Sequence, residues 1–201
     1  MSSADLYISV DVEADGPIPG PYSMLAIGLC VAGRFDGGAY ERSEPSEKTL
    51  YLELAPISAT FDEEALSVSK LDRAELVHNG LDPHAAMSRI GQWIAGVSGT
   101  DRPVICAYPA SFDWLFLYWY LERFAKESNP VGFSSCFDMK SAFAAKAGVP
   151  FDDAGLDDLP LELTSDRPHT HNALDDALEQ ADIFSKLFTW KAKSRTDQHQ
   201  A

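Results

Sequence analysis

The stretch Leu6 to Glu13, "LYISVDVE", constrains this chain more than any other. Leu6, Ile8, Val10 and Val12 alternate with Tyr7, Ser9, Asp11 and Glu13, the two-residue period of a β-strand with two different faces. The strand's last two positions on one face are carboxylates, Asp11 and Glu13, at its C-terminal end. Like charges placed this way repel unless a cation lies between them. "ADGPIPGPY" follows at once, from Ala14 to Tyr22. Its Gly and Pro content ends the strand and opens a loop where a ligand can approach.

Met24 to Val31 and Thr49 to Leu54 read as two further strands, with "GRFDGG" beginning the connection between them, so the N-terminal part predicts a meander of three antiparallel strands. Thr60-Phe61-Asp62-Glu63 matches a capping box and predicts one helix running to Asn79-Gly80. Asp82-Pro83 predicts a second helix reaching about Val97. Pro103 to Tyr108 is a short buried strand, Ser111 can cap the aromatic helix "SFDWLFLYWYLERFAKE", and Val131 to Phe137 returns as a fifth strand before a helix from Met139 to Ala147. Gly148 to Thr170, rich in Asp and Pro, reads as a long functional loop. The pattern predicts a single α/β domain over 1–201, a mixed five-stranded sheet flanked by helices.

The formal net charge of −15 argues against a protein that holds long nucleic acid by neutralising many phosphates, but leaves open an enzyme that grips a short end through metal ions. Lys186, Lys191, Lys193 and Arg195 cluster near the C-terminus, where cations offset a helix dipole or, as the second reading, form a phosphate track. Cys30, Cys106 and Cys136 have no CxxC spacing; Cys30 and Cys106, in apolar runs, are expected as reduced core residues. Neither a secretory leader nor a membrane-spanning run is visible, so a cytoplasmic chain without membrane association is expected.

Two more carboxylates stand out against their helices. Asp113 falls in the first turn of the aromatic helix and shares a stripe with Leu117, Tyr120 and Phe124, a packed face where an acid needs a reason. In "HTHNALDDALEQADIF", Asp175 shares a stripe with Glu179, Asp182 and Lys186, which predicts a solvated face with an Asp182–Lys186 pair, whereas Asp176 shares its stripe with Gln180, Ile183 and Leu187 and must face protein. His171 precedes Asp176 by five positions, and His169 is its neighbouring competitor. An all-oxygen ligand set suits Mg²⁺ or Mn²⁺. Two such ions about 4 Å apart can clamp a phosphodiester for in-line displacement, and a histidine can take a proton from the attacking water.

"DVEADG", "ASFDWLFL" and "HNALDDA", in this order and spacing, resemble the three motifs of the DEDDh family of 3′-to-5′ exonucleases, which have a ribonuclease H-like fold. The resemblance implies that Asp11, Glu13, Asp113 and Asp176 bind two divalent cations, Mg²⁺ or Mn²⁺, that His171 is the general base, and that nucleoside 5′-monophosphates leave from the 3′ ends of single-stranded RNA or DNA or of short oligonucleotides. It further implies substrate contacts from the Ala14 backbone and Phe112, with Tyr22 and Met24 as candidates for an apolar wedge, and it allows a homodimer. The chain departs from the family at Tyr108-Pro109, where many relatives read His-Asn. Two other readings of the same residues are a non-catalytic adaptor on this fold and an endonuclease.

Overall fold

The computed structural model describes residues 4–192. Its centre is a sheet built on β1 (Asp5–Ala14), which pairs antiparallel with β2 (Met24–Phe35) and parallel with β5 (Arg102–Ala107). The outer edge of β2 is shared by β3 (Tyr40–Arg42) and β4 (Thr49–Glu53), and β6 (Cys136–Asp138) extends the sheet beyond β5. The expected meander and mixed sheet are therefore present, with one strand more than predicted. That strand, β3, arises because β2 continues to Phe35, and Asp36 then turns the chain by accepting from the N–H groups of Gly38 and Ala39.

The predicted helix from Thr60 to Asn79 is two helices, α1 (Glu63–Ser69) and α2 (Arg73–Asn79). Lys70 takes a left-handed conformation (φ 58°), while Asp62 and Asp72 each cap a new start with their carboxylates. Aspartate competes for backbone N–H groups more strongly than helical periodicity propagates through them. α3 (Pro83–Ser98) begins as predicted, with the Asp82 carboxylate accepting from Ala85 N–H. α4 spans Ala110–Phe124 and is not capped by Ser111. Instead, Asp138 accepts from Ala110 N–H with one oxygen and from Ser141 N–H with the other, so one carboxylate caps both α4 and α5 (Met139–Ala147). Of the strand expected over Val131 to Phe137, only Cys136 and Phe137 form part of a strand, the three-residue β6 that ends at Asp138, and the long loop after α5 contains two 3₁₀ turns, Phe151–Asp153 and Leu156–Asp158.

The alternation of β1 separates two cores. Leu6, Ile8, Val10 and Val12 pack with α3 and α4, among them Ile90, Ile94, Phe116 and Tyr120. On the opposite face, Tyr7, Cys30 and Cys106 pack with α5 and with α6 (Ala173–Thr189), through Phe143, Ala177 and Phe184. Cys30 and Cys106 are buried free thiols, as expected. Asp11 and Glu13 share the face of Tyr7, so the strand's own period delivers them beneath α6.

The supposedly solvated stripe of α6 is largely covered. Asp182 pairs with Arg42 of β3 and Arg167 of the preceding loop rather than with Lys186, which donates to the Thr164 carbonyl instead. Folding β3 and that loop over α6 brings guanidinium groups closer to Asp182 than its helical neighbour. The C-terminus of α6 is met by Lys146 of α5, whose Nζ donates to the carbonyls of Leu187, Phe188 and Trp190. Lys193 and Arg195 lie outside the described residues. No described helix is long and apolar enough to cross a membrane.

Candidate active site

α6 can lie close to β1 because β2 offers no side chain at Gly28. Gly28 pairs with Asp11, and a Cβ there would fall 2.2 Å from the Ala173 carbonyl oxygen. The first turn of α6 consequently sits on the sheet opposite the carboxylate strand, with Asp176 only 1% exposed. Carboxylate oxygens of Asp11, Glu13 and Asp176 come within 4.8 Å of one another. Asp113 arrives from the other side. The β1–β5 ladder ends at Ser9 and Cys106, and beyond it the Val12 N–H donates to Asp113 Oδ1 at 2.9 Å. A helix-start acid thus completes the backbone pairing that β5 leaves open.

Crowding raises the proton affinity of these acids. Burial, followed by the charges of Asp113, Glu13 and Asp176, holds Asp11 well above the usual carboxylate range, against a stabilising hydrogen bond from Gln180. Burial and then Asp176 push Glu13 up to about 7, and burial likewise pushes Asp113 to about 7 against the Val12 N–H. Carboxylates buried together at this spacing are relieved by a divalent cation, and their hard oxygens fit Mg²⁺ or Mn²⁺.

Asp176 is oriented by the chain preceding α6: Thr170 N–H donates to Oδ1 at 2.8 Å and His171 N–H to Oδ2 at 3.0 Å. Holding both bonds puts His171 in the left-handed region, φ 59°, a conformation that costs about 1 kcal/mol and is often retained at functional sites. His169, the competitor, makes the direct side-chain contacts. Its Nδ1 lies 2.9 Å from Glu179 Oε2 and 3.4 Å from Asp176 Oδ2, and the two imidazoles meet edge to face at 4.8 Å. Glu179, read from the sequence as part of a solvated face, is therefore in the neighbourhood of the site. Asp175 is exposed and only accepts from the Thr170 hydroxyl.

Ala14 and Phe112, the chain neighbours of Glu13 and Asp113, line one cleft of about 290 Å³ together with Gly16, Pro17, Asp62 and Glu64. The two wedge candidates part company, Tyr22 lying against a residue of this cleft and Met24 in the core. The Tyr22 ring lies against Gly16, where a Cβ would fall 2.0 Å from it, and Met24 is fully buried in the core with its N–H donating to Tyr120 Oη. The exposed apolar residue of that loop is Ile18, 48% accessible. Residue types alone could not separate these three, since each is apolar and loop-adjacent. Asp15 was also missed. Fully buried, it pairs with Arg73 of α2 at 2.8 Å and accepts from Ser23 N–H, fastening the Gly/Pro loop and the α1–α2 segment to the end of β1.

No protein-family model matches the chain. It is 34% identical over 194 residues to the Escherichia coli protein named 3′-5′ DNA exonuclease Cap18, covering 96% of this chain and 97% of that one. It is 25% identical over 191 residues to ribonuclease T of Buchnera aphidicola, covering 92% and 83%. Among solved structures, E. coli exonuclease I in complex with a dT13 oligonucleotide has the same fold with a TM-score of 0.64 and 16% identity; the match covers 94% of this chain but spans only 41% of the exonuclease I chain. With its three acidic motifs in order and a relative this similar over nearly its whole length, the chain belongs to the DEDDh-type 3′-5′ exonucleases of the ribonuclease H-like superfamily.

Proposed function

We propose that this exonuclease releases nucleoside 5′-monophosphates from the 3′ ends of single-stranded nucleic acid or short oligonucleotides, with Asp11, Glu13, Asp113 and Asp176 holding two divalent cations and His171 acting as general base. The observation that carries the reading is the meeting of Asp11, Glu13 and Asp176 oxygens within 4.8 Å, from two distant parts of the chain, with Asp11 and Glu13 partly buried and Asp176 buried. When bound, the cations supply Lewis-acid activation of water and stabilisation of the departing oxygen. His171 takes the proton as water attacks the terminal phosphorus and the bond to the preceding 3′ oxygen breaks. Asp176 holds the His171 backbone, so one acid both serves the metal site and places the base. Phe112 and the Ala14 backbone contact the terminal nucleotide in the cleft they share.

The substrate is short or single-stranded because a chain of net charge −15 gains little from a long phosphate backbone. The dT13 oligonucleotide bound to exonuclease I supports single strands, and the names of the relatives, a DNA exonuclease and a ribonuclease, leave the sugar open. Incubating 5′-labelled RNA and DNA of matched sequence with Mg²⁺ or Mn²⁺ tests this. The expected result is a ladder shortening one nucleotide at a time from the 3′ end, absent in Asp11→Ala. Cutting of a circular single strand would instead establish an endonuclease.

A further inference from the structure

Gln180 is 3% exposed and lies one helical turn after Asp176. Its carboxamide makes two hydrogen bonds across the molecule: Oε1 accepts from the Tyr108 N–H at 2.8 Å, and Nε2 donates to Asp11 Oδ1 at 2.8 Å. Tyr108 follows the last residue of β5, beyond the pairing of β5 with both its neighbours, so its amide has no strand to donate to. That backbone group can only donate, which obliges the oxygen of Gln180 to face it and the nitrogen to face Asp11.

We infer that Gln180 is a positioning residue for the metal site: held in one orientation by the Tyr108 amide, it fixes Asp11 Oδ1 so that the remaining oxygen and lone pairs face Glu13 and Asp176. The amide suits this task better than a charged group. A lysine or arginine at the same place would satisfy Asp11 but compete with the cation for it, whereas a neutral donor orients the carboxylate and leaves its charge to the metal. One face of α6 then supplies a ligand, Asp176, and the support for a second, Asp11. The residue also ties the site to the Tyr108-Pro109 segment, where the chain departs from the family pattern.

The inference rests on the metal-dependent reading of the site, and calorimetric titration of Mn²⁺ into the full chain without substrate tests it. Gln180→Met removes the donor at similar length, Gln180→Asn keeps the amide but is too short to reach both partners, and Ser185→Ala removes hydrogen bonds on the same helix away from the site. Both Gln180 variants should weaken Mn²⁺ binding by about ten-fold or more with the KM for an oligonucleotide retained, and Ser185→Ala should leave Mn²⁺ affinity unchanged. If Gln180→Met does not fold, Gln180→Asn alone decides. Mn²⁺ affinity within about two-fold of wild type in a folded Gln180 variant, when support of this kind is worth ten-fold or more, would make the residue merely structural and overturn the inference, while leaving an active wild type's proposed function standing. Weakened Mn²⁺ binding in the variants, alongside a wild type that binds Mn²⁺ and degrades no single strand, would uphold the bridge and remove the proposed mechanism.

Discussion

Replacing Gly28 by alanine tests whether the approach of α6 to the sheet builds the site. The added Cβ would stand 2.2 Å from the Ala173 carbonyl oxygen, 2.3 Å from its carbon and 2.4 Å from the Leu174 nitrogen, all backbone atoms that cannot swing aside. Ordinary contact near 3.5 Å requires the first turn of α6 and β2 to part by about 1 Å. Overpacking of this kind costs about 1–3 kcal/mol, and for a chain of this size each kcal/mol lowers Tm by about 2–4 °C, so a fall of about 2–12 °C is expected. The same displacement carries Asp176, three residues further on, away from Asp11 and Glu13. A misplacement of about 1 Å in a reacting centre can cost about 100-fold in rate, and turnover should fall accordingly. Differential scanning calorimetry of the metal-free chain, Mn²⁺ titration and exonuclease assay would be run on the same preparation. A variant with lowered Tm but wild-type Mn²⁺ affinity and turnover would refute the argument that Gly28 sets the distance between α6 and β1.

Asp176→Asn should lose Mn²⁺ affinity and activity, whereas Asp175→Ala, one residue away and exposed, should change both little in calorimetry and single-turnover assays; equal losses would refute the assignment of helix faces. His171→Ala should lower turnover with Mn²⁺ affinity largely kept, and undiminished turnover in that variant, with loss in His169→Ala, would move the general base to His169. Glu13 and Asp113, both pushed up to about 7 mainly by burial, give the pH dependence of the metal-free chain. The folded state retains protons that the unfolded state releases near pH 4, so this stabilisation is complete below the ordinary carboxylate range and is lost as pH rises through about 7. Tm measured with a chelator should therefore fall from acid to neutral pH, less steeply in Glu13→Gln, and Mn²⁺ should restore it at neutral pH; identical slopes in the two proteins would show that Glu13 does not carry the effect.

Short-range periodicity made much of the framework legible. The alternation of β1 placed its apolar residues on one face and Asp11 and Glu13 on the other, and the α6 stripe separated buried Asp176 from exposed Asp175. These depend only on side-chain direction along a regular backbone, which repeats every two or 3.6 residues. The break at Lys70, the single carboxylate of Asp138 shared by two helices and the burial of Met24 were not legible in that way, because each is decided by competing partners rather than by period.

Residue types and their local order specify the chemistry available here: four acids and a histidine in an order and spacing that resemble one nuclease family, on elements whose inward faces can be counted. Tertiary structure alone decided how those groups meet. Val12 and Asp113 are separated by 101 positions and Asp11 and Gln180 by 169, so no local pattern encodes their hydrogen bonds. The absence of a side chain at Gly28 matters only because Ala173 lands on it, and Glu179 joins the surroundings of the site because the loop before α6 brings His169 Nδ1 to 2.9 Å from its carboxylate. Local sequence sets which way each side chain points, while the packing of distant segments sets what it finds there.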